Sequence, residues 1–172
     1  MIIYTIGHST RPLADFIALL DAHGIKQLVD IRSIPRSRRH PHFSGDALSA
    51  SLHEAGIIYR HRAALGGMRK PRRDSGNTAW RVAGFRGYAD YMETREFRAA
   101  LDELIAVAGD LPTAIMCAEA VWWQCHRQLV ADALVARGVQ VRNIASASAA
   151  PAHTLTDFAQ VEDGVVTYRR LI

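Results

Sequence analysis

The sequence predicts an α/β fold: a three-layer sandwich with a mostly parallel central sheet, Rossmann-like, extended by a C-terminal β-hairpin. Three observations predict it. Short β-branched or apolar runs alternate along the chain with stretches whose apolar residues recur at helical spacing, the pattern of successive βαβ units. Those runs are almost continuously apolar, as strands covered on both faces are. Near the end, Asp163-Gly164 separates two short β-branched runs, a two-residue hairpin signal. With 172 residues, 49% hydrophobic and 22% charged, the chain suits one core, so a single domain over 1–172 is expected, with 145–172 as linker and appended hairpin.

Residues 2–6 form the first strand, ending at Gly7. Residues 12–23 carry Leu13, Phe16, Ile17, Leu19 and Leu20 at helical spacing, with Thr10 placed to cap the helix, Pro12 allowed in its first turn and His23-Gly24 closing it. Residues 27–31 repeat the strand signal and lead into a basic loop to Phe43. A second helix at 46–55 ends at Gly56, and 57–59 reads as the third strand. The stretch 66–84 is polar, glycine-rich and aperiodic, which predicts a mobile loop or lid. Helices follow at 85–92 and 94–108, the latter with Phe97, Leu101, Leu104 and Ile105 on one face. Residues 113–116, after Pro112, predict a buried strand, 121–137 a helix closed by Gly138, and 139–144 the last strand of the sheet. A Ser/Ala-rich linker at 145–152 then leads to hairpin strands at 158–161 and 165–168.

Charge is unevenly distributed. Residues 31–73 hold ten Lys or Arg against Asp46 and Glu54, a local charge of +8 in a chain whose total is +4. Such a region concentrates anions, and nucleotides, phosphorylated metabolites and nucleic acid all qualify. No apolar run reaches the roughly 20 residues of a membrane span, and residues 1–4 read as strand, unlike a charged and then apolar leader. A soluble, cytoplasmic protein without a membrane partner is therefore expected. Cys117 and Cys125 form no disulfide framework and suit a reducing compartment.

Ligands of open α/β sheets bind beyond the carboxyl ends of the strands. The residues predicted there are unusually polar: His8, Ser9 and Thr10, then Asp30, Arg32 and Ser33, then Arg60 and His61, and finally Cys117 and Glu119. His8 suits acid/base work or a phosphate contact, or alternatively a structural hydrogen bond. Gly7 before it and two hydroxyls after it, at the mouth of a helix, favour an anion. Asp30 and Arg32 lie one pleat apart, so they either pair to fix the loop or leave Arg32 free to grip a phosphate or carboxylate. Arg36, Arg38 and Arg39 form an electrostatic rim.

Cys117, expected ahead of a helix, is a candidate nucleophile, its competing role being that of a small buried apolar residue. Glu119 is a candidate acid or base. If the helix starts early, Glu119, Trp123 and His126 share one face at i, i+4 and i+7, which brings His126 toward the sheet edge. Arg127 is an anion ligand or stacks on Trp123. No metal site is expected. Adjacent helical residues diverge by about 100°, so Cys125 and His126 do not join Cys117 on one ion, and no zinc spacing is present. Neither a G-x-G-x-x-G nor a G-x-x-x-x-G-K motif occurs, which disfavours NAD and ATP hydrolysis and leaves any cofactor unassigned. A cysteine phosphatase would carry Arg after five intervening residues, at position 123; here Trp123 stands.

Taken together, Thr5-Ile6-Gly7-His8-Ser9, Asp30-Ile31-Arg32 with Pro35, Ser37 and Phe43, Leu65-Gly66-Gly67, Tyr88 to Met92, and Cys117-Ala118-Glu119 with Cys125-His126-Arg127 resemble a bacterial family catalogued as domain of unknown function 488, over roughly residues 1–144. The resemblance implies a single compact α/β domain with a site at those motifs, and it implies no reaction. The expected function is an enzyme, a hydrolase or transferase, acting on an anionic nucleotide or nucleic-acid substrate. In that reading His8, Cys117, Glu119 and His126 do the chemistry, and Ser9, Thr10, Asp30, Arg32, Ser33, Arg36, Arg60 and Arg127 hold the anion. The chief alternative is a non-catalytic nucleic-acid-binding module built on 31–73. A third reading is a regulatory protein that docks an acidic partner. The oligomeric state is left open.

Overall fold

β-branched and apolar residues that can be buried from both sides build the centre of the molecule. The computed structural model describes residues 1–170. β1 (Ile2–Gly7), β2 (Gln27–Asp30), β3 (Ile58–His61), β4 (Thr113–Cys117) and β5 (Gln140–Asn143) form one sheet in the order β3-β2-β4-β1-β5, with every pairing parallel. β2 and β4 are buried at every position, whereas β3, at one edge, is buried at none. The register aligns Gly7 with Cys117 and Asp30 with Met116 and His61, so four strands end along one line.

Alternate residues of each strand face opposite layers. Ile6, Leu28, Ala114 and Met116 pack against Phe16 and Leu20 of α1 (Leu13–Ala22) and Leu48 and Leu52 of α2 (Gly45–Glu54). Ile3, Val29, Ile115 and Val141 pack against α3 (Ala83–Met92), α4 (Arg95–Asp110) and α5 (Arg127–Ala136) through residues such as Tyr88, Leu101 and Leu129. Three layers result, as predicted. Two crossovers run toward the β3 edge and the later ones run back, and right-handed connections put the two sets of helices on opposite faces.

Several boundaries depart from the sequence reading. Thr10 does not cap α1; Pro12 occupies the cap, and no side chain bonds the helix end. The helix expected from 121 begins at Arg127, after one 3-10 turn at Trp122–Gln124. Cys125 is fully extended there (φ −144°, ψ 173°), which carries its sulfur to Cys117 and interrupts helical winding. The stretch 66–82 has no helix or strand, but it is tied down and is no free lid: the Arg72 N–H, the Ser75 hydroxyl and the Asn77 amide all donate to the buried Asp90 carboxylate at 2.7–2.8 Å. Burial alone would raise the Asp90 pKa; these bonds outweigh it and hold the carboxyl below its ordinary value.

The tail is integrated into the domain. After β5 the chain turns back through Ser146 and Ala149 and lies along β5, with Asn143 N–H donating to Pro151 O and His153 N–H to Val141 O. β6 (Gln160–Glu162) and β7 (Val165–Thr167) then form the expected hairpin. Asp163 (φ 51°) and Gly164 (φ 77°) make the turn, both in the left-handed region that such two-residue connections require. Val166 and Tyr168 enter the core. Among the described residues no helix is long and apolar enough to cross a membrane.

Candidate functional site

Gly7 is where two connections meet. The segment leaving β4 passes so close over the end of β1 that a Cβ at Gly7 would overlap the Glu119 carbonyl. Backbone bonds fasten the crossing, from His8 N–H to Cys117 O (3.0 Å) and from Ser9 N–H to Ala118 O (2.9 Å). Four of the predicted segments do meet on one rim. Their side chains, however, separate onto its two faces.

On the α1/α2 face, Asp30 and Arg32 form a bidentate pair, Nε to Oδ1 at 2.9 Å and Nη2 to Oδ2 at 2.7 Å, and Nη2 also donates to Phe43 O at 2.8 Å. The loop-fixing alternative is thus realised. Burial opposes the Arg32 charge, but Asp30 more than restores it, and its pKa is raised. Tyr59 donates to the same carboxylate, and burial followed by that charge pushes its phenol up. His8 stacks on Phe43 at 4.4 Å. Its Nδ1 lies 2.9 Å from Ser9 O, which fixes the proton on Nδ1 and turns the Nε2 lone pair toward Arg32 Nη1 at 3.4 Å. Burial, and then Arg32, lower the His8 pKa, so the ring is neutral.

On the opposite face, Cys117 Sγ and Cys125 Sγ stand 2.8 Å apart. Cys125 Sγ also accepts from the Arg127 N–H at the start of α5. The bond from Cys125 lowers the Cys117 pKa against the effect of burial, with help from the Arg127 charge; the same contact, followed by burial, raises Cys125. Arg127 is 2% exposed. Its Nη2 makes two long 3.4 Å contacts to Glu119 O and Ala120 O, its Nε has no partner, and among the described residues no carboxylate pairs with it. His126 donates from Nε2 to Ile31 O (2.8 Å) and packs near Tyr88, and burial takes its pKa down to about 4. Gly67 abuts its Nδ1 edge, and Gly66 lies against Ser33, whose hydroxyl donates to Gly67 O. The Leu65-Gly66-Gly67 motif is therefore a close backbone approach.

The remaining expected residues divide. Glu119 is exposed and contributes its carbonyl to these contacts; Thr10 is exposed, and Ser9 is half-buried at φ 48°. Arg36 and Arg38 line an open groove of about 570 Å³ with Ser33 and Asp46. Arg60 is a correction: it turns toward the start of β2 and bonds Gln27 Oε1 at 2.7 Å, away from the rim, because at an edge strand its long side chain can reach that buried amide. His126 shares no helical face with Glu119, since the helix begins after both. Sequence reasoning missed Arg11, whose Nε donates to Gly7 O, and which lines a cavity of about 330 Å³ with Arg127, Trp122, Trp123 and Asn143. Its position directly after the Gly7 to Thr10 motif was the available signal.

The sequence model of a family described as "Domain of unknown function DUF488" matches residues 12–134. The match starts beyond the Thr5 to Ser9 motif and is narrower than the stretch over which the motifs resemble it. No curated protein and no solved structure matches the chain.

Proposed function

The chain belongs to this DUF488 family, and from that premise we propose that it is an enzyme acting on an anionic substrate, a nucleotide or nucleic acid, at the carboxyl edge of the parallel sheet. One observation carries the reading: a buried guanidinium without a carboxylate partner stands beside a thiol pair in which Cys117 is biased toward thiolate. An isolated buried charge is costly, and such a cost is met where an anion completes the site. Arg127 balances both the thiolate and an incoming phosphate. Cys117 is the nucleophile, and Cys125 holds its sulfur as a positioning residue. Glu119 at the rim is available for proton transfer, as is neutral His8 on the other face. His126 and Arg32 position the loops that carry these groups. The Glu119 carbonyl lies against the Cys117 sulfur and, like that of Ala120, accepts a 3.4 Å contact from Arg127, and substrate reaches the thiol when this stretch moves aside.

Wild type and Cys117→Ser are to be incubated with a panel of nucleotides and short oligonucleotides, with products and protein adducts followed by mass spectrometry. Consumption that disappears in the variant is expected. A second reading, a nucleic-acid-binding module without catalysis, is favoured by the exposed Arg36, Arg38 and Arg39, none of which has an ion-pair partner among the described residues. Oligonucleotide binding with no consumption would select it.

A further inference from the structure

The cavity beside Arg127 has the composition of a nucleotide site. It opens between the loops leaving β1 and β4 and the chain after β5, and Arg11 and Arg127 supply two cations to it. Arg127 is almost wholly buried there with Nε unpartnered, so the site is built around a charge that no carboxylate among the described residues pairs. Trp122 and Trp123 supply aromatic surface. Trp122 is wedged edge-on against His153 at 4.9 Å, and Trp123 meets it at 87° and remains 53% exposed. A half-exposed indole at the mouth of a cationic pocket offers a stacking surface of the kind that holds bases on single-stranded binding proteins. The volume, about 330 Å³, lies at the small end of ligand pockets and matches one nucleotide unit better than an extended strand.

We propose that this pocket binds a single 5′-phosphorylated nucleotide unit, its phosphate on Arg127 and Arg11 and its base against Trp123. The assignment rests on the anionic-substrate reading and names the substrate's recognition element. A free mononucleotide and the 5′-terminal unit of a strand share this chemistry.

The three tryptophans, two of them in the pocket, provide the readout. AMP, adenosine, inorganic phosphate and a 5′-phosphorylated tetranucleotide are titrated into the whole chain while tryptophan emission and binding heat are followed. AMP is expected to quench emission saturably, with adenosine and phosphate each at least tenfold weaker. Trp123→Ala, at an exposed position, should remove most of the quench and weaken AMP roughly tenfold. Arg11→Gln should weaken it severalfold and flatten its salt dependence, and it avoids disturbing the buried Arg127. Tighter binding of the tetranucleotide, with the same sensitivity to Trp123→Ala, assigns the unit to a strand end. No binding of either nucleotide, equal binding of AMP and phosphate, or binding indifferent to both variants overturns the proposal. Cys117→Ser should bind AMP undiminished. Binding without Cys117-dependent turnover removes the enzymatic reading alone, and turnover indifferent to Trp123→Ala removes the nucleotide pocket alone.

Discussion

A thiol bonded by a second thiol and faced by a guanidinium should ionise below the roughly 8.5 of a free cysteine. Cys117 is accordingly expected to show an iodoacetamide rate that rises through an inflection below that value, and Cys125→Ala should move the inflection upward; peptide mapping of the labelled sulfur checks both. Labelling of Cys117 only at free-thiol pH would count against its role as nucleophile. His126 gives the opposite kind of titration. Its folded pKa of about 4 lies below its ordinary value near 6.5, so its contribution to stability is fully present above pH 6.5 and is lost as pH falls toward 4. The two values set an upper bound of about 3 kcal/mol, and neutral His8, also lowered, acts in the same direction. Urea midpoints between pH 7 and 4 should fall steeply, and less so in His126→Asn. Gly7→Ala would drive a methyl into a backbone carbonyl that cannot rotate away, at a cost of about 3 kcal/mol or more by the same measurement.

The strands and most helices were legible because their signals are local: runs apolar on both sides, and Leu101 and Leu104 recurring on one face. The start of α5 was not. Residues 121–126 have acceptable helical composition, and what unwinds them is the bond of Cys125 to a sulfur eight positions away, together with Trp122 wedged against His153. Period-2 alternation shows which residues of one strand share a face, but it carries no information about register between strands. His8 and Cys117 could therefore be placed on one rim but not on its opposite sides. The tail reading was likewise incomplete: Asp132, fully buried, accepts from His153 Nε2 and the Tyr168 hydroxyl at 2.8 Å each and from the Thr156 N–H, which anchors 153–168 to α5. Asp132→Ala leaves two buried donors, on His153 and Tyr168, and the part-buried Thr156 N–H without their acceptor and should cost about 3 kcal/mol or more in urea unfolding. A loss under about 1 kcal/mol would mean the tail is held by its apolar contacts alone.

At the scale of the molecule, the +8 region does not act as one surface. Arg32 is internal, Arg60 and Arg72 are occupied by Gln27 and by Asp90 and Glu93, Lys70 and Arg73 are exposed on the separate 66–82 stretch, and the exposed Arg36 and Arg38 line the open groove, with exposed Arg39 next to them in sequence. If that groove tracks phosphates, Arg36→Gln with Arg38→Gln should weaken oligonucleotide binding at every sequence and reduce the slope of log affinity against log salt by about 2, as read by fluorescence anisotropy. The chain folded back over β5 bears on a different property. It occupies hydrogen-bonding positions along one margin of the sheet, leaving β3, a four-residue strand carrying Arg60 and His61, as the bare margin. A protein shortened after β5 would present two open ladders where the intact chain presents one short, charged one. Such a fragment would be prone to stacking end to end into aggregates, so the returning segment protects colloidal behaviour as well as the fold.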